Sequence, residues 1–365
     1  MKYLLFILNV LISVNMPNGQ VKLSLDLEIK EPEGVYFNKI TDIASDSQNN
    51  IYILDRKEKG LYKFSEEGKF QKKIGRYGRG PGEFERPISV FIDDKDNIYI
   101  LDSQNRRVEV FKNNGNFTKS IKLNRYPNGG TNSIAVDENR NFYIAGFYSD
   151  ENVVLCKYSP TGEFLKALPL PIIDYNGIEI RKFNKIHVNR NLAGGSLCFD
   201  KKNRIYFSYK WPYKICIIEN EEIILSDISG TSNLNWTPFI FNTSPDGMLF
   251  GESTSSQKIF WLNNEYIINS IKSVDWEGNT KVKVPTFHTQ EKKGLEKYFK
   301  FNGKHTVLDI FNKDGQFIAS GEINETIVFL NSDNKNRVLG LKDDGENIPV
   351  IVRYKVEIIK ANVNF

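Results

Sequence analysis

The sequence has 365 residues, with 49 Lys and Arg against 45 Asp and Glu, so the net charge at neutral pH is only +4. Hydrophobic residues make up 40% of the chain, which suffices for a sizeable core, and the 17 Tyr and 25 Phe favour strands over helices. Because the charges alternate in sign and form no basic block, nucleic acid is not expected as a partner.

The first residues predict an export signal. Lys2 is followed by the apolar run YLLFILNVLISV and then by the polar NMPNGQ, an order typical of a signal peptide cleaved near Gly19 or Gln20. The run is too short to span a bilayer comfortably, and no Cys stands at the cleavage zone, which argues against a lipoprotein. We therefore predict a signal peptide over residues 1–19 and a periplasmic or secreted mature chain, residues 20–365, without a membrane span.

The mature chain carries an internal repeat with a period of about 45 residues. Each copy has an Asp, a polar turn and an apolar strand that contains Tyr. The copies are DSQNNIYILD from Asp46, DDKDNIYILD from Asp93, DENRNFYIAG from Asp137 and DKKNRIYFSY from Asp200, with weaker copies from Ser244 and Ser332. A strand, a Gly-containing turn and another strand follow, as in LYKFSEEGKFQKKI. Four short antiparallel strands in each period predict the blade of a β-propeller.

The repeat predicts an all-β chain folded as a single β-propeller of six four-stranded blades. Seven blades are the alternative, because KIFWL at residues 258–262 is a surplus strand candidate. Alternating strands at residues 21–30 and 350–358 lack a neighbour in sequence, so we predict that they pair and close the last blade. Residues 169–195 and 273–304 break the repeat and are interpreted as insertions, the first between blades three and four and the second in blade five.

Residues 75–111 resemble the NHL repeat. GRYGRGPGEFERP matches the Gly-rich loop between blades of that family, and SVFIDDKDNIYILDSQNRRVEVF matches the body of the repeat. The chain is also similar to exported bacterial six-bladed propellers, which favours six blades. NHL-like propellers include binding scaffolds, RNA-binding domains and a few metal-dependent lyases and hydrolases, so the resemblance implies a fold and no single activity.

Catalysis has little support in the sequence. The lyases of this resemblance hold a metal through several His, whereas this chain has only His187, His288 and His305. No Gly-x-Ser-x-Gly elbow is present. We predict no catalytic residue, no metal ligand and no cofactor. A divalent cation held by carboxylates and amides in the central channel stays open, and with it a lactonase-like, hydrolase-like or lyase-like enzyme as the alternative function.

The repeated residues are interpreted as structural. An Asp that recurs in every blade serves the blade, by accepting backbone hydrogen bonds in a turn. The loop RYGRGPGEF lacks the Lys–Ser/Thr ending of a phosphate-binding loop. Cys156, Cys198 and Cys216 lie in apolar strands and are predicted to be buried free thiols, with one disulfide as the alternative.

The residues that do not repeat predict the working surface. In a blade, the loop between the second and third strands and the loop to the next blade emerge on the same face of the ring. There, aromatic rings beside Arg suit a glycan or a peptide, although such rings also pack between blades. We predict a binding scaffold for an unknown protein, peptide or glycan. The candidate ligand-binding residues are Arg76, Tyr77, Arg79, Arg86, Phe147, Tyr148, Tyr209, Trp211 and Tyr213.

Overall fold

The computed structural model describes residues 19–127, 129–148, 153–168, 170, 195–209, 214–228, 241–244, 247–250, 255–263, 265–278, 299–323, 325–343 and 348–360. The described strands, in chain order, are β1 Gly19–Ile29, β2 Ile40–Ser45, β3 Ile51–Asp55, β4 Gly60–Phe64, β5 Phe70–Ile74, β6 Pro87–Ile92, β7 Ile98–Asp102, β8 Arg107–Phe111, β9 Phe117–Lys122, β10 Gly129–Val136, β11 Phe142–Tyr148, β12 Val153–Tyr158, β13 Phe164–Ala167, β14 Gly195–Phe199, β15 Ile205–Tyr209, β16 Ile215–Glu219, β17 Glu222–Ile228, β18 Phe241–Ser244, β19 Gly247–Phe250, β20 Ser255–Leu262, β21 Tyr266–Gly278, β22 Phe299–Asn312, β23 Phe317–Ile323, β24 Ile327–Ser332, β25 Arg337–Asp343 and β26 Pro349–Lys360.

These strands form an all-β, six-bladed propeller, as predicted. Blades 1 to 4 are the sheets β2–β5, β6–β9, β10–β13 and β14–β17. Blade 5 is β20–β23, and blade 6 is β24, β25, β26 and β1, in that order. The first strand of each blade contacts the first strands of the neighbouring blades, so the strands β2, β6, β10, β14, β20 and β24 surround the central channel.

The alternative of seven blades is wrong. The surplus strand candidate at residues 258–262 belongs to β20, the innermost strand of blade 5. The weak repeat copy that begins at Ser244 was misassigned, because β18 and β19 form a separate two-stranded sheet outside the six blades. The turn of blade 5 instead follows Leu262, where Asn263 takes the place of the repeated Asp and adopts a positive φ of 49°.

The two ends of the described chain close the ring, as predicted. β1 pairs antiparallel with β26 from Val21 opposite Ile358 to Ile29 opposite Ile351. Val21 and Leu23 are both buried in the core. They point to the same side because the side chains of a strand alternate between its faces. At its first residues β1 also touches the outer strand of blade 5, where Gln20 pairs in parallel with Ser320.

Charged side chains reinforce this closure. Arg353 Nε donates to Asp26 Oδ2 of β1 at 2.6 Å, and Arg353 Nη1 donates to the carbonyl oxygen of Glu66 in blade 1 at 2.7 Å. Arg337 of β25 lies 3.6 Å from Asp26 and 2.9 Å from the carboxylate of Glu66. We call Asp26, Glu66, Arg337 and Arg353 the closing cluster, since it joins β1, blade 6 and blade 1.

The Asp of each repeat holds a turn on one face of the ring, which we call the lower face. Asp46 Oδ1 accepts from the backbone N–H groups of Gln48 and Asn50, and its Oδ2 accepts from the hydroxyl of Tyr52 at 3.0 Å. The residue before Asn50, Asn49, has a positive φ of 62°. The pattern recurs at Asp93, Asp137 and Asp200, each of which accepts from the Tyr six residues later. These Asp therefore stabilise turns.

The same Tyr residues join neighbouring blades. The Tyr52 hydroxyl lies within 3.3 Å of the carbonyl oxygen of Asn113 in blade 2, and Tyr206 donates to the carbonyl oxygen of Lys313 in blade 5 at 2.7 Å. No disulfide joins the three Cys, and two of them, Cys156 and Cys216, are buried. Cys198 is partly buried, and this burial raises the pKa of its thiol.

The described ends of the predicted insertion in blade 5, residues 273–278 and 299–304, belong to a long two-stranded ribbon. β21 and β22 pair as far as Gly278 opposite Phe299, whereas β20 accompanies β21 only to Lys272. The ribbon projects on the face opposite the Asp turns, the upper face, because β21 runs towards that face.

Parts of three predicted segments lie outside the described residues. These parts are residues 279–298 of the blade 5 insertion, residues 1–18 of the signal peptide, and the insertion at 169–195 apart from residues 170 and 195. No described helix is long and apolar enough to cross a membrane.

Candidate binding face around the loop between blades 1 and 2

Residues 75–86 form a compact loop on the upper face, between β5 and β6. Phe84 is fully buried beneath it, and its backbone N–H donates to the Arg76 carbonyl oxygen at 2.7 Å. Gly75 has a φ of 77°, and a Cβ there would lie 2.1 Å from the Phe84 ring. Glycine is required at this position because the buried ring comes so close to the backbone. The structure thus explains the glycines of the loop without a bound phosphate.

Arg107 anchors the loop from below. Its guanidinium donates to the carbonyl oxygens of Arg79, Gly80 and Glu83 at 2.8, 2.6 and 2.9 Å. Arg107 also forms an ion pair with Glu109, which is fully buried in β8. Burial raises the pKa of Glu109, while the hydrogen bond from Ser120 and the positive charge of Arg107 act in the opposite direction. Side chains of blade 2 therefore hold the backbone of the loop that joins blade 1 to blade 2.

The outer side of the loop presents an aromatic ring between two arginines. Tyr77 is 68% exposed. Arg76 lies 2.9 Å from Glu83, and Arg79 forms two hydrogen bonds with Glu85, at 2.9 and 3.1 Å. Both arginine side chains remain about four-fifths exposed, at 81% and 78%. The structure therefore places Arg76, Tyr77 and Arg79 together at the surface, where a ligand can reach them.

Three of the predicted ligand-binding aromatics belong to the core, and the prediction that they are exposed was wrong. β11 continues to Tyr148, so Phe147 and Tyr148 are strand residues, exposed by 2% and 0%. Tyr209 ends β15 and is buried against Phe207, with ring centroids 5.0 Å apart. Tyr148 lies 2.9 Å from Tyr158, hydroxyl to hydroxyl. These rings pack within and between blades.

The other two aromatics of that prediction, Trp211 and Tyr213, lie outside the described residues. The described strands on either side of them are β15 and β16, the second and third strands of blade 4. Their role in binding stays a prediction.

Arg86, the last predicted ligand-binding residue, belongs to a cationic group at the inner edge of the upper face. Arg86 directly precedes β6, and Lys39 occupies the same repeat position directly before β2. Arg56 begins the turn after β3, and its backbone N–H donates to the Lys39 carbonyl oxygen at 2.9 Å. Because β2 and β6 line the channel, these three residues, which we call the inner-rim cations, lie at its upper mouth.

Two repeated aspartates fix the backbone of this rim. Asp55 Oδ2 accepts from the backbone N–H groups of Asn38 and Lys39 at 2.7 and 3.0 Å. In the next blade Asp102 accepts from those of Glu85 and Arg86 at 2.7 and 2.9 Å. Both carboxylates are fully buried and are satisfied by the backbone. They position the inner-rim cations without pairing with their side chains.

An ion pair between Asp42 and Lys258 lies in the channel. Asp42 of β2 is 1% exposed and accepts from Ser89 Oγ and the Val90 N–H of blade 2 at 2.8 and 3.0 Å. Its other oxygen lies 2.8 Å from Nζ of Lys258 in blade 5. Blade 6 stands between blades 1 and 5, so this ion pair crosses the inner side of the ring. The ammonium group of Lys258 therefore neutralises the buried carboxylate of Asp42.

Among the described residues, no group of three or more His, Cys, Asp and Glu is arranged to hold a metal ion. His305 lies on the blade 5 ribbon with Nε2 3.3 Å from Glu322 Oε1. His187 and His288 lie outside the described residues.

Sequence reasoning missed Lys39, Arg56 and the Asp42–Lys258 pair. The sequence did hold a signal for Lys39, because Lys39 and Arg86 stand at the same distance before Asp46 and Asp93. No sequence signal indicates Lys258, since the repeat is weak in blade 5 and the partner is 216 residues away.

The comparisons agree with this architecture. Residues 30–166 match the model of the family DUF5128, described as a 6-bladed beta-propeller. A DUF4221 family member from Bacteroides vulgatus is similar in structure, with a TM-score of 0.61 and 12% identity over 94% of this chain and 100% of the other. A Bacteroides fragilis protein described as exported has a TM-score of 0.54 and 10% identity over 92% and 95% of the two chains.

A gluconolactonase from Xanthomonas campestris has a TM-score of 0.49 and 11% identity over 93% of this chain and 91% of its own. Similarities at such low sequence identity show the fold alone. No curated protein matches the chain in sequence. The protein is a six-bladed β-propeller, and its similar structures include a protein of unknown function from Bacteroides thetaiotaomicron.

Proposed function

We propose that this protein is an exported binding scaffold whose ligand, a glycan or a peptide, docks on the upper face at the loop between blades 1 and 2. The observation that carries the proposal is the exposed ring of Tyr77 between the exposed Arg76 and Arg79. Large aromatic and Arg side chains dominate the energetics of binding surfaces. Arg107 holds this loop in one shape, which reduces the entropy lost on binding.

Export is part of the proposal. The apolar run near Lys2 has the order of a signal peptide, and a structurally similar protein from Bacteroides fragilis is described as exported. Fractionation of cells that express the full chain tests this point. A protein that stays in the cytosol with residues 1–19 attached would contradict it.

A panel of immobilised oligosaccharides and peptides tests the binding face. Replacing Tyr77 by Ala should weaken binding by about 2 kcal/mol or more, roughly 30-fold, and should leave the melting temperature unchanged because the ring is exposed. Tyr209→Ala is the matched control, since it truncates a buried Tyr and should lower stability by about 3–5 kcal/mol.

Trp211→Ala probes the predicted second part of the face. If it weakens binding at an unchanged melting temperature, the blade 4 loop joins the binding face. If Tyr77→Ala and Trp211→Ala both bind as the parent protein does, the ligand site is elsewhere and the proposal is wrong.

A further inference from the structure

The inner-rim cations Lys39, Arg56 and Arg86 are positive charges on a rigid base. Their backbone is fixed by the buried Asp55 and Asp102. No ion pair links any of the three to a carboxylate within the described part of the chain. By contrast, Arg76 and Arg79, farther out on the same face, are each paired with a Glu.

The channel below does not neutralise this charge. The inner strand β2 carries one carboxylate, Asp42, three residues after Lys39, and it is already paired with Lys258 at 2.8 Å. The charges of Asp42 and Lys258 cancel, so at the rim above them three cations stand against the two buried carboxylates of Asp55 and Asp102. Burial lowers the pKa of the Arg56 guanidinium, and repulsion by Arg86 lowers it further against the opposite effect of Asp55. An anion at the rim would relieve this repulsion between Arg56 and Arg86.

We propose that the upper face binds an acidic oligosaccharide, whose carboxylates contact Arg56 and Arg86 at the upper mouth of the channel while another of its sugar rings packs on Tyr77 farther out. This inference rests on the proposed binding function and names its ligand class. Arg recognises a carboxylate through two parallel hydrogen bonds. An exposed aromatic ring offers a flat surface to the apolar face of a pyranose. Uronic acids combine both chemical features in one repeating unit.

An acidic peptide fits this face less well. Peptides that bind in extended form use unpaired backbone groups of their receptor, and the loop of residues 75–86 uses its own. Gly78 N–H donates to the Phe84 carbonyl and Gly80 N–H donates to the Glu83 carboxylate. The carbonyl oxygens of Arg79, Gly80 and Glu83 accept from Arg107. The face therefore offers side chains rather than backbone.

Calorimetric titration of the full chain with oligogalacturonate tests the inference. The methyl ester of the same oligomer is the matched ligand, because it keeps the backbone and removes the charge. We expect the acid to bind at least about ten-fold more tightly than the ester, since a charge-assisted hydrogen bond contributes about 1.5–3 kcal/mol. Binding should also weaken as ionic strength rises from about 0.01 to about 0.15 M, which shortens the Debye length from about 30 to about 8 Å.

The double variant Arg56→Gln/Arg86→Gln should abolish the preference for the acid at an unchanged melting temperature. Lys119→Gln/Lys122→Gln removes the same charge from the outer strand β9 and should bind as the parent protein does. Equal binding of acid and ester would overturn the inference and leave the binding function standing. A poly-glutamate peptide that binds more tightly than oligogalacturonate would overturn the choice of a sugar. Binding of no oligosaccharide or peptide would overturn the proposed function as well.

Discussion

At the scale of single residues, the loop of residues 75–86 on the upper face is held in shape by side chains that are mostly buried. Arg107 is 13% exposed, holds three loop carbonyls and shares its charge with the fully buried Glu109. Arg79 belongs to the same loop but is mostly exposed and paired with Glu85. Arg107 therefore belongs to the framework of the loop, whereas Arg79 belongs to its exposed surface.

We expect Arg107→Ala to lower the free energy of unfolding by about 3–5 kcal/mol, because it leaves Glu109 as a buried carboxylate without its cation. Arg79→Ala, the control, should cost about 0–1 kcal/mol, as exposed ion pairs do. Urea unfolding of the two variants beside the parent protein measures the difference. Equal stabilities would show that Arg107 does not anchor the loop.

The same scale shows where sequence reasoning about the site ended. The exposure of Tyr77, Arg76 and Arg79 was predictable, because they stand in a loop that the repeat defines and they do not themselves repeat. Their role in binding stays a prediction. Phe147 and Tyr148 also do not repeat, yet they are core residues. Their strand β11 has seven residues where β3 and β7 have five, and a single sequence does not reveal that extension. Exposure depends on such packing, which propensity and spacing leave open.

At the scale of elements, strand β1 is the part whose role the sequence predicted best. Its alternation and its lack of a neighbour both follow from the sequence, and its pairing with β26 confirms the predicted closure. The pairing of blade 5 was not predictable in the same way, because Asn263 stands where the other blades have Asp. Both Asn and Asp can form such a turn, but the repeat was recognised in the sequence by its Asp.

The closing cluster predicts how stability depends on pH. Burial would raise the pKa of Asp26, but hydrogen bonds and charge from Arg353, with Lys355 and Arg337, lower it. The hydrogen bond from Lys335, opposed by burial and aided by Arg337, lowers the pKa of Glu66. A carboxylate with a lowered folded-state pKa stabilises the fold above its unfolded pKa of about 4, and that stability is lost as pH falls through the folded-state pKa.

Asp26→Asn should therefore lower the melting temperature at neutral pH, where the carboxylate holds Arg353, which is only 5% exposed. The gap between the variant and the parent protein should shrink as pH falls below about 4. Glu163→Gln, at an exposed turn, is the control and should follow the parent curve. Thermal melts across this pH range measure both effects, and a gap that persists at acid pH would show that the charge of Asp26 does not stabilise the closure.

At the scale of the whole molecule, the ring is held by links between blades as well as by its closed strand. Asp42 connects blade 1 to blade 2 through Ser89 and to blade 5 through Lys258. Tyr52 and Tyr206 reach across to the next blade on the lower face. Because each blade supplies the partners of another, the blades are expected to unfold together.

The ion pair across the channel makes this expectation measurable. Lys258→Met should cost about 3–5 kcal/mol, because it leaves Asp42 buried and unpaired. Adding Asp42→Asn to that variant should recover part of the loss, so the double-mutant cycle gives a coupling free energy well above about 0.5 kcal/mol. Lys342→Met removes the partly exposed partner of Glu28 and serves as the control. Additive losses for Lys258 and Asp42 would mean that the two residues do not interact across the ring.

The pairing of β1 with β26 also sets an order of events during synthesis. Ile29 ends β1 and Pro349 begins its partner strand, so the ribosome must add more than three hundred residues before β1 can be paired. At about 5–20 residues per second, this takes on the order of half a minute. Throughout that time β1 is an alternating strand with an open edge, the kind of segment that aggregates. A chaperone that holds the nascent amino-terminal strand is therefore expected to raise the yield of folded protein more than one that acts after release.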